Sequence, residues 1–271
     1  MRSSNPYFNS LTEERNRGAS VAHAQQFGQQ AMQQAYGTTA ERERGMTIDD
    51  VIVKTGITLG VIIVGAVINY MLSLSNPGLA SMLTMVGAIG GIITLVVSTF
   101  AKKFGSPVVT LLYATCEGFF VGGLTSVFAN VMVSGASAGA IVGQAVLGTI
   151  GVFIGMLIVY RTGAIRVTPK FNRIMVGAVV GVLVLAVGNM LLSIFTGNNP
   201  LTNGGPLAIG FSLLCIVLAA MSFLQDFDTA DKLVRAGSPS TMAWGVALGL
   251  AVTLVWLYTE ILRLLSYLNR D

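Results

Sequence analysis

Long apolar runs alternate with short polar breaks along most of this chain. Seven such runs stand out, at residues 52–73, 80–100, 107–129, 139–160, 174–195, 207–225 and 242–266. Each is close to the roughly 20 residues that a helix needs to cross a hydrocarbon core of about 30 Å. Lipid offers the backbone no hydrogen bonds, so a spanning segment is either a helix or part of a closed barrel. The ten-residue alternation of barrel strands is absent here. The pattern predicts an all-α, polytopic membrane protein: a seven-transmembrane-helix bundle over residues 46–271.

Residues 1–45 break the pattern. They are polar, carry Gln25, Gln26, Gln29, Gln30, Gln33 and Gln34, and lack the apolar stretch a signal peptide requires. A flexible or loosely helical tail is expected. The lone histidine, His23, lies in it without a second ligand candidate nearby, so solvation is a better account than metal binding.

Composition agrees with lipid burial. Only 10% of the residues are charged, against roughly 25% in soluble domains, so a water-facing surface of ordinary polarity cannot be built. That excludes a soluble enzyme and, despite a pI of 9.2, a nucleic-acid-binding domain. The two cysteines, Cys116 and Cys215, fall inside apolar runs and read as small fillers rather than a disulfide. HExxH and Walker lysine patterns are missing, so no catalytic activity and no cofactor are expected.

The charges orient the bundle. The connections at 74–79, 130–138 and 196–206 hold no charged residue. The alternate ones hold Lys102 and Lys103, then Arg161, Arg166, Lys170 and Arg173, then Lys232 and Arg235. With the tail and Lys54, fourteen of the sixteen basic residues fall on one side. Basic loops favour the cytoplasm, so the amino terminus is expected inside and the carboxyl end, with Arg270, outside a cell membrane.

Small residues recur four apart at Gly56/Gly60, Gly118/Gly122, Gly139/Gly143, Gly151/Gly155, Gly177/Gly181 and Gly245/Gly249. This spacing lets helices approach closely, and its frequency predicts packing of one bundle. Asn69, Gln144 and Asn189 are expected to hydrogen-bond between helices or to line an outer vestibule.

Ionisable groups inside lipid are costly and therefore candidates for function. Glu117 lies near mid-membrane on a stripe with Thr110 and Tyr113, as a pathway residue or as a structural hydrogen-bonding acid. Asp228/Lys232 and Asp231/Arg235 are i,i+4 pairs that suit a solvated helix end, whereas Asp226 has no such partner. Glu260 has Arg263 three residues on, and shares a face with Thr253 and Trp256. If Trp244 and Tyr267 mark the two interfaces, Glu260 is submerged in the outer half. Lys54 is either a snorkelling anchor or a counter-ion to an aspartate.

Three segments resemble a known family. FDTADKL at 227–233, LYTEI at 257–261 (continued by Tyr267 and Arg270) and the Glu-containing LLYATCEGFFVGG at 111–123 are similar to motifs of the Bax inhibitor (YccA-like) family, the transmembrane Bax-inhibitor-motif proteins. MRSSNPYFNSL and TLVWLYTEILRLL resemble an actinobacterial-type branch, and the likeness covers roughly residues 48–271, leaving the tail outside. The resemblance implies passive, pH-sensitive calcium leak. It assigns proton sensing to a pair of acids on the sixth and seventh helices, here Asp228 and Glu260. A seventh-helix Glu replaces the family's Asp, and the separation of 32 residues between them exceeds the family pattern. Straight helices place Asp228 and Glu260 at different depths, which leaves Glu117 as the alternative partner of Glu260. Calcium or another cation is then the permeant ion, with transient calcium sites at Glu117, Asp228 and Glu260 and with Asp226, Lys54 and Arg263 as accessories. Some relatives restrain a membrane protease or modulate stress responses, so the alternative is a non-conducting regulator with a membrane protein partner.

Overall fold

The computed structural model describes residues 44–100, 104–128 and 138–269. Among these, seven helices are long and apolar enough to cross a membrane, and the chain is a multi-pass membrane protein. They are α1 (Ile48–Ser75), α2 (Pro77–Phe100), α3 (Pro107–Ser126), α4 (Ala138–Thr162), α5 (Pro169–Thr196), α6 (Pro206–Arg235) and α7 (Met242–Leu268). The tail with His23, the pair Lys102 and Lys103, most of the connection before α4, and Arg270 lie outside the described residues.

The helix ends have local causes. Thr47 caps α1, its hydroxyl accepting from the Asp50 amide while the Asp50 carboxylate accepts from the Thr47 amide at 2.9 Å. Thr168 caps α5, and α3, α5 and α6 each begin with a proline, which has no amide hydrogen to leave unsatisfied there. The sixth helix outruns the expected 207–225 by ten residues, to Arg235. Its last turns are polar, and the ion pairs Asp228–Lys232 and Asp231–Arg235 support them, at 2.5 and 2.9 Å.

Two neighbourhoods hold the bundle together: α3 against α1 and α2, and α7 against α6, α1, α4 and α3. Central among them is α7, the most enclosed of the seven. At the edge α5 packs chiefly on α6 and buries only Met175. An aromatic group of Phe153 and Tyr160 from α4 with Phe223 and Phe227 from α6 joins those two helices, with ring centroids 5.3–6.0 Å apart.

The glycine pattern is used unevenly. A methyl on Gly118 would meet the Ile62 carbonyl oxygen at 2.7 Å, and one on Gly122 would fall on the Ala66 backbone. Gly65 of α1 and Gly87 of α2 are pressed in the same way against the α3 backbone, and Gly91 of α2 faces α3 side chains. By contrast Gly56/Gly60, Gly139/Gly143, Gly151/Gly155 and Gly177/Gly181 meet nothing within 4 Å. Those four pairs do not pack the described bundle, contrary to expectation. They lie on outward faces, where glycine is common in membrane helices without any close neighbour.

Candidate functional site

Seven acids lie on the described membrane-spanning helices; beyond Asp49 and Asp50 at the start of α1 and Asp231 near the end of α6, the other four are separated by their partners. Glu117, midway along α3, is hydrogen-bonded to Tyr113 one turn earlier. Its Oε2 faces Gly91 of α2, where an added methyl would sit 3.0 Å away. A glycine there makes the room this carboxylate occupies.

Asp226 of α6 turns toward α7. The Thr253 hydroxyl donates to its Oδ2 at 2.7 Å, and Gly249 lies beside Oδ1. The small Gly249, one turn before Thr253, lets the two helices close on the carboxylate.

Glu260 of α7 is 5% exposed and accepts both oxygens' worth of contact from one guanidinium nitrogen of Arg263, at 2.9 and 3.2 Å. The Ser212 hydroxyl and Trp256 lie beside it, and the Cys215 thiol is close by. Such a pair is held together by the cost of leaving either charge alone in a dry interior.

Asp228 forms its ion pair with Lys232 on its own helix. It does not reach Glu260. Asp226 is level with Thr253, seven residues before Glu260 on α7, which amounts to about 10 Å along the axis, and Asp228 lies about 3 Å further away. The inter-helix carboxylate pair implied by the family resemblance is thus not formed by Asp228 and Glu260. The physical reason is register: the six-residue α6–α7 connection aligns Asp226 with the middle of α7. Nor is Glu117 the partner of Glu260, since it faces α2 rather than α7. Lys54 does not serve an aspartate either. Its ammonium donates to the Ser240 carbonyl and stands 5.7 Å from the centre of the Trp244 ring.

A second register is informative. Thr110 donates to the Trp244 carbonyl at 3.1 Å, and Thr125 is bonded to the Tyr258 hydroxyl at 3.0 Å, so α3 and α7 run side by side without slippage. Interpolation sets Glu117 level with Ala251, hence at the depth of Asp226. Two acids therefore occupy one layer on opposite sides of α7, each with a hydroxyl partner and neither in an ion pair among the described residues.

The α6–α7 seam is also polar along its length. From the basic end it carries Asp226 with Thr253, then Glu260 and Arg263 beside Ser212, then Tyr267, whose hydroxyl donates to the Thr202 carbonyl at 3.2 Å. Tyr267 is buried and holds the connection before α6, rather than floating at a lipid interface. Asn69 is fully buried and donates to Thr84 and to the Phe119 carbonyl, at 2.9 and 2.6 Å, binding α1 to α2 and α3. Asn189 instead holds Asn199 and the Leu201 amide in the connection after its own helix, and Gln144 is exposed.

The family model described as Bax inhibitor 1 like matches residues 5–270. The chain belongs to the Bax inhibitor 1 like family. The match takes in nearly all of the polar tail, which the sequence motifs alone had left outside the resemblance. No curated protein matches the chain. Of the three segments that carried the resemblance, each brings acid to this Bax inhibitor 1 like bundle: Glu117, Asp228 with Asp231, and Glu260. The acid that α6 turns toward α7, Asp226, stands just ahead of FDTADKL. Residue type flagged it as unpaired, but only its contact with Thr253 gives it a place.

Proposed function

We propose that this Bax inhibitor 1 like protein is a pH-sensitive passive leak for cations, calcium among them. One observation carries the reading: Glu117 and Asp226 share a layer in the bundle and each faces a hydroxyl rather than a base. An acid inside a membrane protein with no counter-ion is costly to keep unless it meets protons or cations. Carboxylate and hydroxyl oxygens suit a hard cation such as calcium, and so few of them would hold it weakly enough to let it leave. The polar α6–α7 seam, from Asp226 past Glu260 and Arg263, is the proposed route. Glu260, neutralised by Arg263, has a lesser part in it than its burial suggests, and Asp228 serves the entrance. The basic end faces the cytoplasm of a plasma or inner membrane, as the loop charges indicate.

Removing protons from a layer of acids adds negative charge there, which attracts cations and loosens helix contacts. Flux should therefore rise with pH. Purified protein in liposomes with an internal calcium indicator tests this. Asp226→Asn, fixed in the uncharged form within the seam, should lower the flux about tenfold, equivalent to about 1.4 kcal/mol. Glu117→Gln, which acts on the seam only through its charge in the same layer, should lower it less, and both should flatten its pH dependence. Unchanged flux in both variants would reject the acid layer. Calcium impermeability of the wild-type protein at every pH would leave the non-conducting regulator as the better reading.

A further inference from the structure

The residues just before α1 are not a loose lead-in. Gly45 lies opposite Pro239 in an antiparallel bridge, and the Met46 amide donates to the Ser238 carbonyl at 2.7 Å. Met46 is 3% exposed, in one cluster with Phe223 and Phe227 of α6 and with Ala243 and Val246 of α7. Two turns into α1, Lys54 donates to the Ser240 carbonyl and covers the Trp244 ring. The backbone bonds fall on the α6–α7 turn, the lysine reaches that turn and the start of α7, and Met46 wedges between α6 and the first turns of α7. The same turn is closed from another side by Gly105, where a methyl would meet the Thr241 carbonyl at 2.8 Å.

An extended backbone segment that hydrogen-bonds a turn, buries one side chain beneath it and adds a lysine clasp has the parts of a strap. We infer that Gly45–Thr47, with Lys54, straps the α6–α7 turn and restrains that helix pair from shifting, so that the segment leading out of the polar tail controls the seam. The control of flux rests on the leak reading above, whereas the mechanical restraint does not. A pull on residues before Gly45 would lift Met46 from between α6 and α7 and free the turn. The two helices could then separate at the end nearest Asp226. The family resemblance does not call for this coupling. It follows from which residues the turn touches.

The test uses the full chain in nanodiscs and in liposomes. Met46→Ser and Lys54→Gln should raise amide hydrogen exchange across residues 237–247 several-fold while leaving α3 unchanged, and should raise calcium flux. Gly45→Cys/Pro239→Cys, placed at the bridge, should lower flux when oxidised and recover when reduced, with Gly45→Cys alone as the control. Because the same molecules are compared before and after reduction, misfolding cannot imitate that result. Unaltered exchange in both substitution variants would overturn the strap. Altered exchange with flux indifferent to the lock would overturn its control of the seam. If the wild-type protein passes no calcium at all, the leak reading fails, and the exchange measurement still decides whether the strap exists.

Discussion

The α1–α2–α3 group and the α6–α7 pair both enclose an acid, yet they are built in opposite ways. In the first, Gly65, Gly87, Gly118 and Gly122 bring backbones into direct contact, and Glu117 occupies the space that Gly91 leaves. In the second, side chains separate the helices, and polar groups follow one another along the seam. Backbone-to-backbone packing leaves little freedom, because a shift of even a methyl's width produces overlap. A seam of side chains can repack by changing rotamers. The difference teaches that a buried acid alone does not mark a moving part, since what surrounds it decides whether it can move.

The largest effect should come from breaking the rigid group. Gly122→Val places a side chain on the Ala66 backbone and should cost about 3 kcal/mol, the upper end of ordinary overpacking. Thermal unfolding in detergent should fall by about 10 °C, on the scale of 2–4 °C per kcal/mol for chains of this size. Gly151→Val, in an equally regular glycine pair on α4, meets nothing within 4 Å and should leave the midpoint unchanged. Equal losses at the two sites would show that glycine spacing, rather than coverage, governs stability here.

That contrast also bounds what was legible in the chain. Seven spans and their order were readable because nearly all charges fall in the breaks, with Lys54, Glu117, Glu260 and Arg263 the exceptions inside the runs. The family was readable from three short segments in the right order. Coverage of a glycine pair was not, because spacing shows only that two small residues share a face, while neighbouring helices decide whether the face is used. Gly87 and Gly91 are four apart like the rest, yet they were not among the pairs singled out, although both are used. Asp226 and Thr253 are 27 residues apart, and their contact depends on the tilt and register that the α6–α7 turn imposes. Met46 offers no periodic signal, being one apolar residue at the edge of a polar tail. Its role appears only once the turn at Ser238 and Pro239 is in place.

The next effect in size concerns the compensated acid of the seam. Arg263→Met leaves Glu260 buried with no base. Losing one partner of a buried pair costs about 3–5 kcal/mol in general, and proton uptake by the carboxyl would relieve part of that. A loss of about 2 kcal/mol is expected, seen as a lower unfolding midpoint that recovers partly in acid. Glu260→Gln with Arg263→Met removes both charges and should restore most of the stability. If the double variant is as unstable as the single one, the pair holds the α6–α7 seam by shape and not by charge.

The smallest effect discriminates most finely between the two regions. Thr253→Val keeps the volume of the side chain and deletes only the hydroxyl that donates to Asp226, and Tyr113→Phe does the same to the hydroxyl bonded to Glu117. A hydrogen bond of this kind is worth about 1 kcal/mol, so each change should leave the fold intact and alter flux by about fivefold at most. Asp226 lies in the adaptable seam, where loss of its donor lets the carboxylate turn and changes how a passing cation is met. Glu117 is confined between α3 and the glycine face of α2, so loss of the Tyr113 hydroxyl leaves its position nearly the same. Liposome flux should therefore respond to Thr253→Val more than to Tyr113→Phe. The reverse order would move the conducting path to the α2–α3 side, and with it the part of the bundle that must open.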